Sequence, residues 1–213
     1  MPMETGLPQI KDRLQAMAAL AEDMVDRSVK ALLEGDGARA HQVCIDDDQL
    51  DRMEEEIDEL AMKILAGGPE LSDLRSITIS MKISNDLERI GDEASTIAKS
   101  VIQLNEQSNW KAPFREEIVA MGEKACLLLR EAIQAYLEND IGKAQQLISQ
   151  DDQMDSLNEF YQEELVGMIQ EDPAAIASYL DLGIIVKRLE RGADHAINIA
   201  EDVLIIGKTG DLS

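Results

Sequence analysis

Apolar residues recur every three or four positions along most of the chain, the spacing that places them on one face of an α-helix. Near the N-terminus this pattern is carried by Ile10, Leu14, Met17, Ala21 and Met24. The same periodicity predicts six helices, over residues 8–33, 38–66, 71–104, 121–137, 141–170 and 174–206. A polar stretch at 105–113 separates the third helix from the fourth. We therefore expect an all-α protein.

Turn signals divide these helices at short intervals. Gly35 suits the left-handed residue that ends a helix, and Asp36 can cap the next one. Further breaks are predicted at 67–69 and at 172–173, where proline follows glycine or aspartate. Short connections of this kind favour antiparallel neighbours.

The second half of the chain repeats the first at an offset of about a hundred residues, the size of a duplicated subdomain rather than of a solenoid repeat. The repeat is visible in matched pairs: Met17 with Met121, Leu33 with Leu137, Asp47 with Asp151, Pro69 with Pro173, Ile83 with Ile185 and Glu88 with Glu190. The second copy is shorter by two residues next to the proline. We predict two tandem antiparallel three-helix bundles related by internal duplication, with domains at 1–108 and 109–213.

Composition narrows the function. Acidic residues outnumber basic ones 43 to 20, and a net charge of −23 disfavours nucleic acid and anionic membranes as partners. Only 3% of residues are aromatic, a composition that suits packed helices better than sheets. Cys44 and Cys126 lack the spacing of a zinc knuckle or a disulfide framework. With no signal-like N-terminus and no long apolar run, the expected location is the cytoplasm.

Acidic pairs four residues apart lie at the edges of four of the predicted helices. On a helix, this spacing places both carboxylates on one face, where their repulsion favours a neutralising cation. The candidate metal ligands are Asp47, Asp51, Glu54, Glu88, Asp92, Asp151, Asp155, Glu190 and Asp194. Oxygen ligands without clustered His or Cys favour hard or borderline cations, namely Mg²⁺, Mn²⁺, Fe, Ca²⁺ or Zn²⁺.

An ordinary solvated face is the alternative reading of these acids, because acidic pairs are common in highly charged helices. The absence of an ExxH pattern disfavours a di-iron oxidase. Gly91 and Gly192, in mid-helix, indicate the close approach of another helix or of an ion. Arg89 and Arg191 are expected to pair with acids of their own helices. No phosphate loop, nucleophile elbow or catalytic triad is recognisable, so no catalytic residue is predicted and we expect a non-enzyme.

Two segments resemble the paired signature of the PhoU family of phosphate-specific transport system accessory proteins: residues 86–92, which read DLERIGD, and 189–201, which read LERGADHAINIAE. The segment Asp73-Leu74-Arg75 after Pro69 fits as well. The resemblance implies two three-helix bundles, a homodimer, and Fe, Zn, Mn or Mg held on acidic motifs. It also implies a negative regulator of phosphate uptake and phosphate-starvation signalling. Its partners would be the phosphate ABC transporter ATPase subunit and a sensor histidine kinase.

The second half differs from the first at two places in these acidic motifs. Its motif reads Arg-Gly-Ala-Asp where the first reads Arg-Ile-Gly-Asp, and Asn158 and Gln162 replace the acids Glu54 and Asp58. The second site is therefore expected to bind metal more weakly or to hold fewer ions. Two rival functions stay open: a carboxylate-bundle metalloprotein for metal storage or redox chemistry, and a helical scaffold whose acidic edges bind basic partner surfaces.

Overall fold

The computed structural model describes residues 6–106, 112–150 and 152–207, apart from the side chains of residues 152 and 153. Within these residues the chain forms α-helices, one 3₁₀ turn at Pro173–Ala175 and no strand, which confirms the all-α prediction. The helices are α1 (Gly6–Glu34), α2 (Gly37–Leu65), α3 (Leu71–Asn105), α4 (Arg115–Glu138), α5 (Ile141–Ile148), α6 (Asp152–Glu171) and α7 (Ile176–Gly207).

Two bundles make up the molecule, as the sequence predicts. The first comprises α1, α2 and α3, and the second comprises α4, α7 and the pair α5 and α6. The bundles pack together through α3 against α7 and through α1 against α4. The predicted domain boundary between residues 108 and 109 falls in 107–111, outside the described residues, and stays a prediction.

Local signals explain where helices of both bundles begin and end. Gly35 adopts φ +66°, and Asp36 Oδ1 accepts a hydrogen bond from the backbone N–H of Arg39 at 3.0 Å. Asp140 caps α5 in the same way, through Lys143 N–H at 2.9 Å. A side-chain acceptor at this position satisfies one of the free N–H groups of the first turn. The caps predicted from the sequence at Gly35 and Asp36 are confirmed.

The fifth predicted helix, over 141–170, is wrong as a single element, because the structure divides it into α5 and α6. Ser149 Oγ donates to the carbonyl of Gln146 at 2.7 Å, and the N–H of Gln150 bonds to Leu147 O at 2.9 Å, three residues back. Side chains that bond to nearby backbone compete with the helical pattern. The equivalent stretch of α2 stays helical, and there Arg27 ties Asp46 to α1 at 2.5 Å.

The fourth helix begins at Arg115, six residues before its predicted start. Glu116 and Glu117 lie in its first turn, where the positive end of the helix dipole favours acids. Ile118 is fully buried there, so tertiary packing holds a turn that the heptad pattern alone does not indicate.

Candidate metal centres

The first acidic cluster consists of Asp47, Asp51 and Glu54 on α2 together with Glu88 and Asp92 on α3. These two helices pack closely because α3 carries Gly91 where Leu50 of α2 crosses it; a Cβ on this glycine would overlap Leu50 Cδ2. The close approach predicted for Gly91 is therefore confirmed.

Charge in the first cluster is only partly neutralised. Arg89 pairs within its own helix, at 3.4 Å from Glu88 Oε2 and 3.2 Å from Asp92 Oδ2, as the sequence predicts. Burial and, after it, the carboxylate of Asp92 raise the pKa of Glu88 to about 7, against the opposing charge of Arg89. Glu88 Oε2 is buried and makes no hydrogen bond. One carboxylate oxygen is thus left without a donor beside several like charges.

Asp47 extends this cluster toward the C-terminal end of α3. Burial raises the pKa of Asp47, and the charges of Asp92 and Asp51 act in the same direction, while the Ser95 hydroxyl and Lys99 oppose them. On the other side, Asn85 Nδ2 donates to Glu54 Oε1 at 3.3 Å. The α2 stripe and the α3 pair therefore face one another, as predicted from their positions beside the apolar seams.

The second acidic cluster consists of Asp155 on α6 with Glu190 and Asp194 on α7. One ligand oxygen from each of these three residues can be chosen so that all lie within 4.8 Å of one another. No three acids of the first cluster meet this spacing in the described part of the chain, so the second cluster is the tighter one. The predicted ligand Asp151 lies outside the described residues.

Glu190 is the buried member of the second cluster, 5% exposed, whereas Asp155 is exposed. Lys187 Nζ donates to Glu190 Oε1 at 2.7 Å and lies 2.6 Å from Oε2, so the ammonium group pairs with both oxygens of this carboxylate. Three carboxylates that converge beside Lys187 offer the oxygen donors that a divalent cation prefers. The residues present therefore suit the metal that the sequence leads us to expect.

The departures noted in the sequence have structural counterparts. Gln162 Nε2 donates to the carbonyl of Gly183 at 3.1 Å and so binds the α7 backbone, and Asn158 lies beside it. Neither amide carries the charge that Glu54 and Asp58 supply at the equivalent positions.

One local expectation is wrong in the second half, and one contact there was not expected. A Cβ at Gly192 would meet no atom within 4 Å, so this glycine marks no close approach. Arg191 makes an ion pair with another helix; its Nε lies 3.2 Å from Glu93 Oε1 of α3. Arg188 reaches the other oxygen of Glu93 at 2.9 Å. The sequence pattern gives no signal for this contact, because the two helices lie far apart along the chain.

None of the helices in the described residues combines the length and the apolar character needed to cross a bilayer.

Comparison with known proteins gives a consistent result across the chain. The family model described as PhoU domain matches residues 14–101 and again 118–203. The phosphate-specific transport system accessory protein PhoU homolog of Pseudomonas aeruginosa is 37% identical over 97% of this chain and 85% of its own length. The homolog of Clostridium acetobutylicum is 31% identical over 99% of this chain and 97% of its own length.

Solved structures agree with these relatives. The crystal structure of PhoU from Pseudomonas aeruginosa has a TM-score of 0.93 at 36% identity, covering 97% of this chain and 99% of that one. The phosphate transport system regulatory protein PhoU from Streptococcus pneumoniae has a TM-score of 0.90 at 26% identity, covering 100% and 99%. The internal duplication read from the sequence thus corresponds to two matched domains of one family.

Proposed function

Because this chain belongs to the PhoU family, we propose that it is a metal-binding helical adaptor that restrains phosphate uptake and phosphate-starvation signalling. Its relatives are named as accessory proteins of the phosphate-specific transport system, and they match over nearly the whole chain. This full-length match is the observation that carries the proposal. The action needs no catalysis, since an adaptor works by changing which partners it binds.

The partners we propose are the ATPase subunit of a phosphate ABC transporter and a sensor histidine kinase, met at the cytoplasmic face as a homodimer. A conformational signal requires a ligand with different affinities for two states. The acidic clusters offer such a ligand site, because each joins neighbouring helices of one bundle: α2 with α3, and α6 with α7. A bound cation would hold each pair together.

The acids that would bind the cation are those of the two clusters: Asp47, Asp51, Glu54, Glu88 and Asp92 in the first, and Asp155, Glu190 and Asp194 in the second. Asp151 is a further proposed ligand. The buried Oε2 atom of Glu88, which makes no hydrogen bond, supports this assignment in the first cluster, and the convergence of three carboxylates supports it in the second. Fe, Zn, Mn and Mg all suit carboxylate donors.

A gene-deletion strain grown in phosphate-rich medium tests the regulatory role. We expect derepressed phosphate uptake and raised expression of a phosphate-starvation reporter, both restored by the wild-type chain. Unchanged uptake and signalling in the deletion strain would contradict the proposal.

Metal binding is tested separately with purified protein. A Glu88→Ala/Asp92→Ala/Glu190→Ala/Asp194→Ala variant, checked by circular dichroism for intact helicity, should lose the ions that the wild type carries after purification without chelator. Equal metal content in both proteins would remove the metal from the proposal and leave the adaptor role. Metal-dependent oxidase turnover by the wild type would instead favour the storage or redox alternative.

A further inference from the structure

A surface groove between α6 and α7 differs in chemistry from the rest of this acidic molecule. We call it the α6–α7 groove; it is lined by Leu165 and Val166 of α6 and by Leu180, Ile184, Lys187 and Arg191 of α7, among others. Exposed fractions are 55% for Val166, 57% for Leu180 and 41% for Ile184. None of the described residues that line the groove is acidic, although acids outnumber bases 43 to 20 in the chain.

The apolar and basic residues of α7 are ordered along one stripe. Leu180, Ile184, Lys187 and Arg191 follow one another at intervals of four, three and four residues, which keeps them on one helix face. The apolar side chains therefore lie at the end of the groove nearer the N-terminus of α7, and the basic side chains lie at the opposite end.

The internal repeat shows that the fold does not require this chemistry. By the alignment of Glu88 with Glu190, the positions of Leu180 and Ile184 correspond to Thr78 and Lys82 in the first half. Lys187 and Arg188 likewise correspond to Asn85 and Asp86. At these four positions α3 carries polar or charged residues and no apolar one, while Arg191 corresponds to Arg89. The apolar part of this α7 face is therefore particular to the second half.

Three basic side chains of α7 lie at the other end of the groove: Lys187, Arg188 and Arg191. Arg188 and Arg191 both pair with one carboxylate, that of Glu93, which is almost fully buried. Two guanidinium groups therefore share one negative charge, and Arg191 keeps an exposed side toward the groove. Lys187 pairs with Glu190 and is half-exposed, so an anionic group arriving from solvent would meet Arg191 and the exposed side of Lys187.

We propose that the α6–α7 groove binds an amphipathic helical segment of a partner protein, with an apolar face and an acidic end. Its apolar side chains would cover Val166, Leu180 and Ile184, and its acids would meet Lys187 and Arg191. The stretch from Leu180 to Arg191 matches about three helical turns. This inference deepens the proposed function, since it gives the adaptor a partner-binding surface.

Other occupants fit the groove less well. A free anion would leave the exposed apolar residues unexplained, and a chain with a net charge of −23 is repelled from anionic lipid. A second copy of this chain would have to present an apolar stripe with an acidic end of its own.

Fluorescence anisotropy with the full chain tests the proposal. The probe is a labelled helical peptide of about 16 residues, long enough for four turns, with leucines along one face and glutamates at one end. Matched peptides carry the glutamates at the other end, or lysines in their place. We expect a glutamate peptide to bind at least about tenfold more tightly than the lysine peptide, with a preference that weakens as salt is raised.

Repeat-matched variants identify the surface. Leu180→Thr with Ile184→Lys introduces the residues that the first half carries at these positions, so the helix should stay folded, and it should weaken peptide binding about tenfold or more. Lys187→Asn should weaken the glutamate peptide more than the lysine peptide. Leu127→Thr, at an exposed leucine on α4, is the control and should leave binding unchanged.

Several results would overturn the inference. These are failure of both glutamate peptides to bind, equal binding of the lysine peptide, or full binding by the Leu180→Thr/Ile184→Lys variant. Self-association abolished by that variant would assign the groove to a second copy, and inorganic phosphate binding lost in Lys187→Asn, without peptide binding, would make it an anion site. Normal phosphate regulation in a strain carrying the double variant would reject the groove and leave the proposed function standing.

Discussion

Asp86 Oδ1 on α3 lies 2.9 Å from Nδ1 of His195 on α7, and the same contact recurs in the repeat with different chemistry. Glu88 aligns with Glu190, so Asp86 corresponds to Arg188 and His195 corresponds to Glu93. In this second pair, Arg188 Nη1 donates to Glu93 Oε2 at 2.9 Å as well. Duplicated helices packed against each other thus use one contact twice, first as Asp with His and then as Arg with Glu.

The two versions of this contact should contribute unequally to stability. Double-mutant cycles compare Asp86→Asn with His195→Gln, and Glu93→Gln with Arg188→Gln. We expect a coupling energy of about 0.5–1 kcal/mol for the first pair and about 1–3 kcal/mol for the second. The second should be larger because Glu93 is almost fully buried and its partner Arg188 carries a charged guanidinium group. Urea unfolding measures both cycles. A first coupling equal to or larger than the second would contradict this ranking.

Gly91 and Gly192 should respond oppositely to alanine. A Cβ at Gly91 overlaps the buried Leu50, so Gly91→Ala is expected to destabilise the chain by about 1–3 kcal/mol. Gly192 has open space, so Gly192→Ala should gain about 0.5–1 kcal/mol from helix propensity. Thermal or urea unfolding of the two variants provides the comparison, and each is the control for the other. Equal destabilisation by both would show that the space beside Gly192 is not available.

These glycines also show how far sequence reasoning reaches. Gly91 and Gly192 lie in similar motifs, and nothing local distinguishes a glycine crossed by a leucine from one facing open space. The caps at Asp36 and Asp140, in contrast, depend on three or four consecutive residues and can be read from the sequence. Apolar periodicity gives the helices and the duplication because every turn of a helix contributes to that signal.

The candidate site also contains some contacts that the sequence predicts and others that it does not. Spacing alone places Glu88 with Asp92, and Glu190 with Asp194, on common helix faces. The convergence of Asp155 on the second pair follows from adjacent helices in a predicted bundle. The pairing of Arg191 with Glu93 could not be predicted, because it depends on the angle and register at which α7 crosses α3.

Lys187 should reduce the metal affinity of the second acidic cluster. Its ammonium group lies on Glu190, whereas the first half has neutral Asn85 at the equivalent position. Lys187→Asn is expected to tighten binding of Mn²⁺ at the second cluster by about threefold to tenfold, a modest effect because the lysine is half-exposed. Equilibrium dialysis with metal analysis measures the change.

The reciprocal variant Asn85→Lys is the matched control. It should weaken the first cluster by a similar factor and leave the second unchanged. Lower Mn²⁺ affinity in Lys187→Asn would mean that the lysine organises the second cluster rather than competing with the ion.

Glu88 should make the stability of the metal-free protein depend on pH near neutrality. Its pKa in the folded state is about 7, raised from 4.5 by burial and by Asp92. A raised pKa means that folding favours the protonated acid, so its stabilising contribution is complete below about pH 4.5 and is lost as pH rises through 7. Glu88→Gln, which stays neutral, should match the wild type near pH 4 and exceed its stability at pH 8 by on the order of 1–2 kcal/mol.

Added metal should make the wild type more stable than Glu88→Gln at high pH. A cation binds the ionised carboxylate, so added Mn²⁺ should stabilise the wild type at pH 8 more than at pH 6, because deprotonation of Glu88 precedes binding. Glu88→Gln should gain less from the ion at pH 8, since one charged ligand is missing. Urea unfolding at the two pH values, with chelator and with Mn²⁺, separates the contributions. A metal effect that is independent of pH in the wild type would exclude Glu88 as the group whose proton the ion displaces.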